Sequence, residues 1–159
     1  MDTMDLIREQ ESDMIEIRRH IHANPELSNE EFKTTELIKE KLTEYGIEVC
    51  EIGLKTGVVG LLRGGKPGKT VAIREDIDAL PMAELTGLPF ASKVENVCHS
   101  CGHDIHTTTL LYCARVLAEL KEELSGNVLF LFQPAEEDGS GAKQLAEHKF
   151  YEISKPDVF

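Results

Sequence analysis

The sequence predicts an α/β protein, a mixed β-sheet with helices on both faces. Three observations predict it. Segments of helical period alternate with short strand-like runs. One run, Val128-Leu129-Phe130-Leu131-Phe132, is apolar throughout, as a strand covered on both faces must be. Clusters of acidic and metal-competent side chains fall in loops after predicted strands, where open α/β sheets collect their ligands.

Asp5 to about His22 has helical spacing, with Leu6, Met14, Ile17 and Ile21 among charges, and Asn24-Pro25 stops it. Ser28-Asn29-Glu30-Glu31 supplies the next start, a Ser cap with Glu three residues on. Phe32, Thr35, Leu37, Ile38 and Leu42 continue a helix that ends at Tyr45-Gly46. Ile47 to Ile52 alternates apolar and polar, as a half-buried strand does. Val58–Leu62 and Thr70–Ile73 read as strands joined in a hairpin by Gly64-Gly65-Lys66-Pro67-Gly68. Arg74 to Val97 has little periodicity and contains Pro81 and Pro89; loops of such length are usually functional or disordered. A helix is predicted from Ile105 to about Leu124, on the apolar face of Leu110, Leu111, Ala114, Val116, Leu117 and Leu120. The apolar strand 128–132 follows, then a loop, a short helix near Ala142–His148, and the beginning of another strand at Pro156-Asp157-Val158-Phe159. A strand onset with no successor suggests an incomplete domain.

At 159 residues, 41% apolar and 29% charged, the chain is one domain's worth of globular protein. Its formal charge of -12 disfavours nucleic acid or an anionic membrane as partner. No apolar run approaches the roughly 20 residues of a membrane span. The start Met1-Asp2-Thr3-Met4-Asp5-Leu6 lacks the basic and apolar regions of a signal peptide, so a cytoplasmic location is expected. There Cys50, Cys98, Cys101 and Cys113 are expected as thiols or metal ligands rather than disulfides.

The chemistry concentrates in Val97-Cys98-His99-Ser100-Cys101-Gly102-His103-Asp104-Ile105-His106, with two thiols, three imidazoles and a carboxylate. These are ligands for borderline-soft divalent metals. A redox CxxC or half of a structural zinc site competes for Cys98 and Cys101. No second Cys/His pair is present for a closed zinc site, and a thioredoxin-like CxxC would sit directly at a helix start. Cys101-x-His103 fits an open catalytic site better. Asp76 and Asp78 fit turn carboxylates as well as a site. Glu136-Glu137 could be a solvated acidic turn, but it follows a buried strand and Pro134-Ala135, which holds it rigidly. Adjacent acids also suit a division of labour, one on a metal and one free as general base. His20 and His22 are read as structural, His148 as surface, and Cys50 and Cys113 as small core residues.

Four motifs stand in order: His20-Ile21-His22-Ala23-Asn24-Pro25-Glu26-Leu27-Ser28, Arg74-Glu75-Asp76-Ile77-Asp78-Ala79-Leu80-Pro81, His99-Ser100-Cys101-Gly102-His103-Asp104-Ile105-His106 and Phe132-Gln133-Pro134-Ala135-Glu136-Glu137. Together they resemble the metal-dependent amidohydrolases of the aminoacylase and carboxypeptidase superfamily. The branch they resemble is that of hippurate hydrolases, auxin-conjugate hydrolases and N-acetyldiaminopimelate deacetylases. The resemblance implies a hydrolase with two divalent metal ions that cleaves N-acyl amino acids into a carboxylate and a free amine. It implies metal ligands at Cys101, His103 and Glu137, a general base at Glu136 and a supporting carboxylate at Asp78, with Asp76 less defined. Cys98 becomes a neighbour of the site, and His99, Asp104 and His106 become supports that orient ligands. The thiolate suits zinc, while the family also uses manganese, cobalt or nickel.

Glu75, Cys98, Ser100 and Asp138 depart from the family's usual residues, and Glu75 and Asp138 add acid near the site. Family members are more than twice as long, so the resemblance implies the N-terminal part of a catalytic domain. The dimerisation domain and a C-terminal return segment with further ligands would lie outside it, and a homodimer is expected only of a full-length form. With three of the usual five ligands, weakened metal binding and little or no turnover are expected, or a non-catalytic remnant or metal-binding module that retains the fold.

Overall fold

A computed structural model describes residues 3–159. Met1 and Asp2, part of the stretch read as lacking a signal peptide, lie outside the described residues. The chain runs α1 (Thr3–Glu9), α2 (Glu11–Ala23), α3 (Phe32–Glu44), β1 (Glu48–Val49), β2 (Val58–Arg63), β3 (Lys66–Asp76), α4 (His103–Glu119), β4 (Ser125–Gln133) and α5 (Gly141–Glu147), then a short 3-10 turn, Phe150–Glu152.

The single N-terminal helix expected from periodicity is broken at Gln10. Its side chain turns inward and donates from Nε2 to Glu119 Oε1 on α4 at 3.0 Å, while its N–H closes a tighter turn on Ile7 O. The start of α3 also differs from expectation. Ser28 does not cap it; the Glu26 carboxylate does, accepting the N–H groups of Lys33 at 3.0 Å and Thr34 at 2.8 Å. β1 is only two residues long. Among the described residues, no helix is long and apolar enough to cross a membrane.

The sheet order is β1-β2-β4-β3, so the expected β2–β3 hairpin does not form. β4 lies between them, antiparallel to β2 (Val58↔Phe132 to Arg63↔Asn127) and parallel to β3 (Thr70↔Asn127 to Asp76↔Gln133). An entirely apolar strand is stable where both faces and both edges are covered, and the central position supplies that. The Gly64-Gly65 connection crosses the start of β4, with the Gly64 N–H on Gly126 O and the Gly65 N–H on Lys121 O. Gly126 (φ +96°) presses so closely on β3 that a Cβ there would meet Lys69 O at 1.9 Å. Val158 bridges to Val71 in parallel, so the expected strand onset adds to the free edge of β3.

Alternation along β2 and β4 divides the core. Val58, Leu62, Phe130 and Phe132 pack under α2, α3 and α4 with Ile21, Ile38, Leu42 and Leu111. Val59, Leu61, Leu129 and Leu131 face the other side, against Leu145 of α5 and the 3-10 turn. The helices thus cover both faces, as the sequence predicts. Cys50 and Cys113 are half-buried.

Phe130, 0% exposed, fills the larger cluster, whereas Val71 on the β3 edge is 40% exposed. Phe130→Ala is expected to cost about 3–5 kcal/mol in urea unfolding, and Val71→Ala less than about 0.5 kcal/mol. Similar losses for both would contradict this division of the core.

Candidate metal centre

Because β3 and β4 are parallel and in register at Asp76↔Gln133, their carboxyl ends open on the same side. The segments leaving them, Ile77-Asp78 and Pro134–Asp138, therefore run side by side. The loop returning from β3 ends at Gly102, in the left-handed region at φ +83°, and α4 begins at His103. That start is two residues earlier than periodicity predicts, and it puts His103 in the first turn of a rigid helix.

Cys101, His103 and Glu137 each bring one donor atom into a group whose members lie within 4.8 Å of one another. His103 is 2% exposed. Its Nε2 faces Glu137 Oε1 at 3.7 Å, Glu136 Oε2 at 3.9 Å and Asp76 Oδ1 at 3.4 Å, while its Nδ1 lies 3.2 Å from Asp78 Oδ1. Asp78 is itself tied down, its Oδ2 accepting from Ser28 Oγ at 2.7 Å and from the Glu137 N–H at 2.9 Å. A carboxylate behind an imidazole fixes both tautomer and ring orientation, which leaves Nε2 as the outward donor atom.

A second group joins Asp76, His103 and His106. Asp76 is already paired, through Oδ1 with His106 Nδ1 at 2.7 Å and through Oδ2 with Arg74 at 3.0 Å. Glu137 Oε1, by contrast, is buried with no hydrogen-bond partner among the described residues. An orphaned carboxylate oxygen beside a thiol and an imidazole nitrogen is a donor set that fits a borderline divalent metal.

The electrostatics agree. Burial, then the carboxylates of Glu137, Asp76 and Glu136, push the Cys101 thiol up. Burial pushes His103 down, but Asp78, Asp76 and Glu137 outweigh it and raise the imidazole overall. Burial also pushes Asp78 up, and the hydrogen bonds from His103, Ser28 and the backbone at Glu137 and Glu136 outweigh it, leaving the carboxyl at about 2. The site carries more negative charge than its own residues balance, a condition that a bound cation relieves.

The other sequence-singled residues are placed as follows. Glu136 stands at the rim, its side chain 41% exposed. Cys98 is buried, its Sγ 3.2 Å from Ser100 Oγ, and it is not among the residues of either group. His99 is buried with neither ring nitrogen hydrogen-bonded, and burial lowers it to about 4. Asp104 turns away from the cluster, meeting Arg18 Nε at 2.7 Å and His22 Nδ1 at 2.8 Å, which locks α4 to α2. His22 also approaches Glu84 at 3.2 Å, and Glu84 accepts from the Ser92 N–H at 2.6 Å and from Thr86 Oγ1. The long loop is thereby stitched to the helices. His20 is exposed.

Sequence reasoning missed Ser28, read as a helix cap, and Glu31. Glu31 is wholly buried, raised by that burial, and accepts the N–H of Ala135 at 2.7 Å. It thereby holds Ala135, at φ +50°, in the turn that delivers Glu136 and Glu137. The Ser-x-x-Glu spacing was visible, but it signals a cap equally well.

The fold and site define an α/β protein with a candidate metal centre at the carboxyl ends of its parallel strands. Residues 72–159 match Peptidase family M20/M25/M40. The chain belongs to that family, and the resemblance read from the four motifs is borne out. It is 52% identical over 144 residues to thermostable carboxypeptidase 2 of Saccharolobus solfataricus, which covers 89% of this chain and 37% of that protein. It is 51% identical over 137 residues to N-acetyl-L-cysteine deacetylase of Bacillus subtilis, 86% of this chain and 33% of that one. Among solved structures, the Bacillus subtilis YXEP protein, described as a dinuclear metal binding peptidase from M20 family, superposes with a TM-score of 0.88 at 44% identity. That superposition covers 91% of this chain and 40% of the other. The chain thus spans about a third of the length of these curated relatives.

Asp78 has a folded pKa below its unfolded value, so its contribution is present above the unfolded value of about 4 and is lost as pH falls through about 2. For the metal-free protein this amounts to about 2 kcal/mol. Asp78→Asn is expected to flatten that acid limb in urea midpoints measured across this window. An unchanged acid limb would contradict the Asp78–His103 pairing.

Proposed function

We propose that this chain carries a metal-dependent centre for hydrolysing the amide bond of N-acyl amino acids. Cys101, His103 and Glu137 hold divalent metal, Glu136 is the general base, and Asp78 orients His103. The observation that carries the reading is the orphaned Glu137 Oε1 in one cluster with Cys101 and His103. Family membership and the similarity to an N-acetyl-L-cysteine deacetylase support amide hydrolysis and the N-acyl substrate class. The likeness to a dinuclear metal binding peptidase supports two divalent ions. The thiolate favours zinc, with manganese, cobalt or nickel as alternatives.

When bound, the metal supplies Lewis acidity toward the amide carbonyl and lowers the pKa of water. The chain's own residues do the rest. Glu136, on the rim and held by the strained turn at Ala135, accepts the proton of the attacking water and returns it to the leaving nitrogen. Asp78 keeps the Nδ1 proton of His103, so that Nε2 stays a lone-pair donor. Glu75 and Asp138 add negative charge around this mouth and disfavour a second anionic group on the substrate there.

Three protein donors from these residues are few for two ions, so weak binding and slow turnover are expected of this chain. A metal-binding module without turnover is the competing reading. The discriminating assay measures amine release from N-acetyl amino acids with each metal added. The expected result is slow, metal-dependent release that Glu136→Gln lowers by about 10²–10⁴-fold. Release that needs no metal or survives Glu136→Gln contradicts the proposal, and metal binding with no release at all favours the module.

Cobalt binding tests the ligands independently of turnover. Cys101→Ser is expected to abolish the thiolate-to-cobalt charge-transfer absorption and weaken zinc beyond the ~10–100-fold typical of an outer-shell partner. Cys98→Ser is expected to keep both. Equal losses would favour a CxxC site instead.

A further inference from the structure

The metal reading uses the side of α4 that carries His103 and leaves the opposite side without a part. Ile105 stands about 200° around the helix from His103. From it Thr109, Cys113 and Leu117 continue one stripe at four-residue spacing, over about 18 Å of helix. Ile105 is 51% exposed, and Ile7 and Ile15 beside the stripe are 41% and 39% exposed. Two hollows lie along it. One, about 360 Å³, is lined by Ile7, Met14, Cys113 and Leu117 among others. The other, about 290 Å³, is lined by Ile15, Phe90, Ile105, Arg18 and Arg19 among others. Both include Met14 and Thr109, so they join into one trough between α2 and α4. Its size is that of a small-molecule site, roughly 300–1,000 Å³.

The trough is apolar along its length and cationic at one end. There the Phe90 ring carries two guanidiniums, Arg18 at 5.1 Å and Arg19 at 5.0 Å from its centre. Arg18 is already matched by Asp104, at 2.7 Å. Arg19 is exposed and makes no ion pair among the described residues. One unmatched guanidinium at the end of an apolar trough is complementary to one carboxylate at the end of an apolar chain. The formal charge of -12 repels an anionic bilayer, so the ligand that fits is a free monomer and not a membrane.

We propose that the α2–α4 trough binds a free medium-chain alkyl carboxylate, its chain along α4 and its carboxylate on Arg19. The chain covers Met14, Thr109 and Cys113 on its way toward Leu117, and the carboxylate accepts from the Arg19 guanidinium. The site lies on the other side of α4 from His103 and does not depend on the metal reading.

The test titrates the intact chain with dodecanoate by calorimetry, below micelle formation, with octanoate and dodecanol as comparisons. Dodecanoate is expected to bind one to one, and octanoate about 10²-fold more weakly because four buried methylenes are lost. Arg19→Gln is expected to weaken dodecanoate by about tenfold or more and to leave dodecanol unchanged. Alkylation by iodoacetamide, followed by peptide mass, is expected to slow several-fold at Cys113 under saturating dodecanoate and to keep its rate at Cys101. No saturable binding, or equal affinity for dodecanoate and octanoate, overturns the proposal. So does Arg19→Gln with undiminished affinity for dodecanoate, or a Cys113 that dodecanoate does not protect. Dimerisation that shields Cys113 and excludes dodecanoate assigns the trough to a second copy of the chain and overturns it as well.

Discussion

The Asp78 carboxylate is where four separate segments of this chain are tied together. It lies just beyond β3, accepts from Ser28 ahead of α3, braces His103 at the start of α4, and takes the N–H of Glu137 beyond β4. A buried carboxylate is tolerable only when its oxygens are well supplied with donors, and these contacts do that. The same contacts aim His103 Nε2 and set the position of Glu137. Stability and site geometry here come from one group.

Around that hub the charge is lopsided. Asp76 is matched by Arg74 and His106, and Asp104 by Arg18 and His22. Among the described residues Glu137 Oε1 makes no hydrogen bond and has His103 Nε2 no nearer than 3.7 Å, and the neighbouring acids push the Cys101 thiol up. Buried polar groups are rarely left so unless a ligand completes them. The imbalance is therefore best understood as half of an interaction. On the proposed reading its other half is a divalent cation, whose charge would stabilise the thiolate that the carboxylates disfavour.

Much of this was legible in the sequence where the signal is local. The apolar run Val128–Phe132 marks the central strand, and the ordered motifs mark the family. Cys101-x-His103 and Glu136-Glu137 mark the donors that the fold brings together. Non-local facts were not legible. The Gly64–Gly68 stretch reads as a hairpin because turn residues carry no record of a third strand inserting from sixty residues away. Ser28 and Glu31 have the spacing of a capping box, yet Ser28 serves Asp78 and Glu31 serves Ala135. The α1–α2 break at Gln10 depends on Glu119, and the anchoring of the 81–97 loop depends on His22. Each is a pairing between distant residues that periodicity does not encode.

The central claim is that a single sulfur, from Cys101, joins His103 and Glu137 on a divalent metal. X-ray absorption at the zinc edge of the zinc-loaded chain tests it most directly. The account predicts one sulfur at about 2.3 Å, with the remaining donors nitrogen and oxygen at about 2.0–2.2 Å. Two sulfurs in the shell, which would bring in Cys98, or none at all, would contradict it.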